Sequence, residues 1–299
     1  MKRLLSLLLL LAALPAWAVV NVFATVPEWG ALAEQIGGDN VKVFTATTGL
    51  QDPHRIQARP SLITRARAAD LLIATGAELE IGWLPLVQRE SGNPRIQSGQ
   101  PGYFEATSVV TLLEKPARLD RADGDVHAAG NPHIQTDPRN FLLVGDALAQ
   151  RLAAIDPANA AAYAANAQQF ASRWRAAIVR WEQQAVLLKG VPILVQHRAF
   201  PYLSQWLGLR EVDSLEAKAG MEPTSGRLAE MLARQHMQPA KMVLRPAYQY
   251  DTPSRWLAER TRIAAVVLPF TVGGTPEAKD LFSLFDDTIN RLLQGLKIP

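Results

Sequence analysis

Three histidines, His54, His133 and His197, are the residues of this chain whose type and setting best suit chemistry. Each stands in a short polar connection beside a regular apolar run, in the phrases QDPH, NPHIQTDP and ILVQHRAF. They are 79 and 64 residues apart, so no local finger could use them together. Only a folded chain could bring them to one point. Three neutral imidazoles meeting at a point form a binding site for a borderline transition metal, zinc above all. The chain has just five histidines, so three in such settings is more than scatter. The expected function is capture of a metal ion outside the cytoplasm.

The connections themselves are stiff. Proline in Asp52-Pro53-His54 fixes its own φ and holds the preceding aspartate extended, and Asn131-Pro132-His133 repeats the device. Asp137-Pro138 reads as an N-cap with proline at the first helical position, so His133 stands on the approach to a helix. His197 closes the apolar run Val191–Gln196. In open parallel sheets ligands gather outside the carboxyl ends of strands, which makes His197 the strongest single expectation. Asp52 and Asp137 could orient liganding rings or simply cap turns.

The elements that must position these residues alternate in type. Val19–Thr25, Val41–Thr47 and Leu71–Thr75 read as buried strands, with helices over Glu28–Ile36 and Ser61–Ala69 between them. Further strands are expected at Ile193–Gln196, Lys241–Arg245 and Ala264–Leu268, with helices at Ser225–Arg234, Ser254–Arg260 and Lys279–Leu296. Such alternation predicts an α/β fold of two similar lobes with parallel-type sheets. Between them, Asp156-Pro157 opens a stretch free of Pro and Gly as far as Lys189-Gly190. Tyr163, Ala167, Phe170, Trp174, Ile178, Trp181, Ala185 and Leu188 recur there at steps of three and four. This predicts one long rigid helix joining the lobes, with Trp174 and Trp181 in its core stripe. Glu78 and Glu80 are expected to open a helix, where acidic side chains complement the dipole.

The N-terminus points to export. Lys2 and Arg3 precede an apolar run from Leu4 to Leu14, broken only by Ser6, and Ala16-Trp17-Ala18 supplies a small-x-small cleavage signal. The expected organisation is a signal peptide over 1–18, a first metal-binding lobe over 19–155, the connecting helix over 156–189 and a second metal-binding lobe over 190–299. A mature chain from Val19 would be soluble in a bacterial periplasm. Its formal net charge falls from +3 to +1, which argues against nucleic acid as a partner. The chain has no cysteine, so neither a thiolate ligand nor a lipid anchor on a thiol is available.

Taken together, these motifs resemble the metal-specific solute-binding proteins of bacterial ABC importers, cluster A-I, and the zinc-type members in particular. The resemblance is carried by DPH before Arg59-Pro60-Ser61, by ADLLIATGAELEIGWLP, NPHIQTDP and HRAFPYL, and by the long helix; it covers essentially the whole mature chain. It implies two lobes bridged by a rigid helix and one metal in the cleft, with His54 and His133 from the first lobe and His197 from the second. It also implies a monomer that works with an inner-membrane permease and its cytoplasmic ATPase. Manganese-type relatives tend to carry a carboxylate where His197 stands, so a third imidazole favours zinc.

Two departures from that family stand out. Relatives commonly supply a fourth, carboxylate ligand after the last strand, but here Val266 to Gly274 contains none. Zinc wants four donors. Water, Glu216, Asp251 or Asp280 could supply the last, although each carboxylate also reads as a surface or capping residue. Zinc-type members also often carry a long histidine-rich loop. This chain has only Asp120–Gly130, with Asp123, Asp125 and His127. His127 reads as solvated loop, or alternatively as a transient recruiter of metal. Three histidines plus water would also suit a zinc hydrolase with an open site, but no HExxH helix or evident general base accompanies them. A manganese or iron carrier of the same fold is a further alternative, and a surface protein that uses metal only for folding is the third class. Gly273-Gly274 lacks the spacing of a phosphate loop.

Overall fold

The structure is a computed structural model that describes residues 19–116, 124 and 127–297. The expected leader over 1–18 therefore lies outside the described residues, as do Asp123 and Asp125.

Two four-stranded sheets, both wholly parallel, organise the chain. The first contains β1 (Val20–Ala24), β2 (Val41–Thr45), β3 (Leu71–Ala74) and β4 (Tyr103–Glu105), in the order β2-β1-β3-β4. The second repeats that order as β6-β5-β7-β8, from β5 (Pro192–Val195), β6 (Arg210–Ser214), β7 (Met242–Pro246) and β8 (Ala264–Leu268). All four residues of β3 are buried, as a strand covered on both faces requires. In each sheet the order reverses next to the first strand, opening a crevice at the carboxyl ends where ligands bind.

Helices cover the faces. In the first half these are α1 (Pro27–Gly37), α2 (Pro60–Arg67), α3 (Leu84–Ser91) and α4 (Pro138–Ile155). The long element is α5 (Ala160–Gln184), extended by single turns of tighter helix at Pro157–Asn159 and Ala185–Leu188. Beyond it lie α6 (Pro201–Leu207), α7 (Ser225–Met237), α8 (Thr252–Thr261) and α9 (Leu281–Leu296). Glu78 and Glu80 do not open a helix: the chain turns there with positive φ at Ala77 and Glu78, and α3 begins at Leu84. Glu80 is buried instead and accepts from Thr25 Oγ1, Thr75 N and Gly76 N. That carboxylate ties together the carboxyl ends of β1 and β3.

The stripe on α5 is buried as its spacing predicts, at Tyr163, Phe170, Trp174, Ile178 and Trp181. Trp174 is the centre of a wall of rings. Its centroid lies 5.1 Å from Phe170, 5.4 Å from Phe141 on α4, 4.8 Å from Phe282 and 5.6 Å from Phe285 on α9. Trp174 Nε1 donates to Pro138 O and Trp181 Nε1 to Asp286 Oδ1, so both buried indoles are satisfied. One apolar cluster, running from Val20 to Leu292, is thus shared by both halves.

Candidate metal centre

His54 lies in the connection after β2. Asp52 Oδ1 accepts both the His54 backbone N–H, at 3.0 Å, and its ring Nδ1, at 2.9 Å. Trp83 Nε1 donates to Pro53 O and anchors the turn from below. With Nδ1 occupied, Nε2 is the free ring nitrogen, and it is buried without a hydrogen-bond partner. Burial alone would raise the Asp52 carboxyl, but the hydrogen bonds and charge of His54 outweigh it and its pKa is lowered.

His133 enters from a turn held by its own neighbours. Asn131 Oδ1 accepts the His133 N–H, and Thr136 Oγ1 donates to His133 O. Tyr202 OH on α6 donates to Asn131 O, and Asn131 Nδ2 donates to Arg198 O, so the second half buttresses this turn. His133 is 1% exposed, and Nδ1 has no partner. Burial first, then the neighbouring His54, His197 and His127 rings, push its pKa well below the ordinary imidazole value. The ring is therefore neutral, the form that binds metal.

His197 stands two residues beyond β5, and its Nδ1 meets Glu216 Oε2 at 2.7 Å. Glu216, from the end of β6, also accepts from Gly220 N and from Gln249 Nε2. This leaves Nε2 of His197 available. The second ring-orienting carboxylate mirrors the first, with Asp52 behind His54 and Glu216 behind His197. Such outer carboxylates fix tautomer and direction and raise the basicity of the opposite nitrogen.

The three rings converge. Centroids lie 5.3 Å apart for His54 and His133, 5.8 Å for His54 and His197, and 5.7 Å for His133 and His197. One nitrogen from each lies within 4.8 Å of the other two. Nitrogens about 2.0–2.1 Å from a tetrahedral zinc stand roughly 3.3 Å apart. Small ring movements therefore suffice to close the set on an ion. His127 is half-buried with its ring 5.5 Å from His54, so it is not the solvated loop residue its setting suggested. With His133 and His197 it lines a cavity of about 160 Å³.

The model of the family described as "Zinc-uptake complex component A periplasmic" matches residues 22–295. The chain belongs to this zinc-uptake component family. It is 28% identical over 251 residues to the high-affinity zinc uptake system protein ZnuA of Paracoccus denitrificans (strain Pd 1222), covering 73% of each chain. It is 27% identical over 196 residues to the iron-binding protein YfeA of Yersinia pestis, covering 65% of this chain and 58% of that one. A crystal structure of ZnuA superposes with a TM-score of 0.77 at 20% identity, covering 93% of this chain and all of the other. The two-lobed α/β fold with its long helix is thus the family fold.

Against that family pattern, the residues considered for a fourth donor separate cleanly. Glu216 reaches the centre, but through His197 Nδ1 and not as a free carboxylate. Asp280 is the N-cap of α9, where it forms a capping box with Ser283. Asp251 precedes α8 and pairs with Arg255. Asp137, expected to orient a ring or cap a turn, does the latter: it caps α4 and pairs with Arg139, and His133 Nδ1 has no hydrogen-bond partner. In the segment after β8, it is Phe270 that packs on His133, at 5.3 Å between centroids. Nothing in the local sequence singled out that phenylalanine.

Proposed function

We propose that this protein is a periplasmic zinc-binding protein that holds one ion on His54, His133 and His197 and delivers it to an ABC-type importer. The convergence of one nitrogen from each ring within 4.8 Å carries the reading. Three imidazoles suit a borderline ion better than manganese, which prefers carboxylate, carbonyl and water oxygens. Behind the rings of His54 and His197, across from the ion, the carboxylates of Asp52 and Glu216 would offset its charge without competing for it. The iron-binding relative makes an iron carrier the second reading.

The hydrolase alternative has less support. A general base needs a free lone pair near the attacked atom. Asp52 and Glu216, the carboxylates bonded to the trio, stand at the Nδ1 atoms of His54 and His197, on the opposite side of each ring from Nε2, where a metal-bound water would have to be activated.

Competitive titration of chelator-stripped protein tests the proposal. One zinc per chain is expected, with alanine at any of the three histidines lowering affinity by about a hundredfold or more, beyond the roughly 10–100-fold of outer partners. His127→Ala should cost under about tenfold if it only recruits the ion. Retained zinc affinity in His133→Ala would overturn the assignment.

A further inference from the structure

We propose that Arg55 is a positioning residue of the metal centre: through Gly220 and Glu216 of the second half, it holds His197 in register with His54 of the first. This rests on the reading of the three histidines as the metal site.

Arg55 follows His54 directly, and its backbone N–H donates to Asp52 O in the turn that presents the ring. Its side chain leaves that turn. Nη2 donates to Gly220 O at 2.7 Å, joining residues 165 positions apart across the two halves. Gly220 has φ of +73°, a left-handed conformation that glycine adopts without steric cost. Its own N–H donates to Glu216 Oε2 at 2.8 Å, and the same oxygen meets His197 Nδ1 at 2.7 Å. One glycine thus takes the guanidinium on its carbonyl and gives its N–H to the carboxylate that aims the ring. A continuous run of hydrogen bonds thereby connects the turn of His54 to the imidazole of His197.

Arg55, Gly220 and Glu216 all line a cavity of about 620 Å³ that borders both His54 and His197. On this flank the two connections are separated by open space, and the guanidinium bridges them. Gly124 also grips the turn after Glu216, through an isolated parallel bridge with Ala219. That bridge ties the turn to the first half without reaching the connection that carries His54. Charge alone predicts the opposite of positioning. A guanidinium beside a bound dication repels it, so its loss by itself tightens binding. A broken positioning bond instead frees His197 and loosens the ion.

Release kinetics test this. Arg55 is exposed, so Arg55→Ala should fold as wild type, with circular dichroism as the check. Zinc-loaded protein is mixed with excess chelator and the release rate is followed. Release should accelerate by about tenfold in Arg55→Ala, the lower end of what one hydrogen bond from a charged donor is worth. In a Glu216→Ala background the same substitution should add less than about threefold, because the run is already cut. Release within about twofold of the wild-type rate, or slower, in Arg55→Ala overturns the inference. So does a gain of about tenfold from Arg55→Ala in the Glu216→Ala background. His197→Ala separates the two levels. Retained zinc affinity there refutes the metal site itself; lost affinity there, with wild-type release in Arg55→Ala, refutes only the role of Arg55.

Discussion

Behind each of two site imidazoles stands one carboxylate, and the sharpest residue-scale test lies there. Glu216→Gln keeps the shape and can still bond His197, but removes the charge that raises ring basicity. Zinc affinity should fall by about 10–100-fold while one ion per chain is still bound, as chelator competition would read. An unchanged affinity would reduce Glu216 to a packing residue. At this scale the histidines were legible because imidazole is rare in the chain and each sat beside a proline turn or a strand end. Glu216 was singled out only as a candidate fourth donor, and its bond to His197 was hidden because the two are 19 residues apart. Phe270 was invisible, because an aromatic residue after a strand reads as core. Asp280 and Asp251 drew notice as carboxylates, yet both stand beside helix starts.

Among the elements, α5 was the easiest to foresee, since its apolar stripe repeats over seven turns without Pro or Gly. Strands β1, β2, β3, β5, β7 and β8 were equally plain from their β-branched runs. β4 spans three residues, and β6 reads REVDS, too short and too polar for hydrophobic pattern to reveal. Their pairing with β3 and β5 comes from tertiary context, which overrides propensity at sheet edges. Because Trp174 joins α4, α5 and α9, Trp174→Ala should cost about 3–5 kcal/mol of stability. Urea unfolding followed by far-ultraviolet circular dichroism would measure it, and a loss below about 1 kcal/mol would contradict the shared wall.

For the whole molecule, the contact between Glu28 and Thr271 joins residues 243 positions apart across the two halves. Burial raises the Glu28 carboxyl from 4.5 to about 7, against the hydrogen bond from Thr271, with the nearby Glu80 adding to the rise. The folded state then holds this proton more tightly than the unfolded chain, so the group's contribution to stability falls as pH rises from 4.5 to about 7. Glu28→Gln keeps an acceptor for Thr271 and abolishes the titration. It should gain about 1–3 kcal/mol over wild type at pH 8 and little at pH 4. Urea midpoints at the two pH values decide this; an equal difference at both would remove the coupling. A related consequence follows from the rings around Trp174. Phe141 of the first half and Phe285 of the second touch directly at 5.9 Å, so a clamshell swing would have to tear a packed aromatic seam. Each such pair adds roughly 0.5–1.5 kcal/mol beyond its buried area. A release that keeps this seam intact has to come from local movement of the three connections that present the imidazoles. In the proposed carrier, unloading would then follow the receiver's grip on those connections, and cargo would leave at its pace instead of the carrier's own breathing.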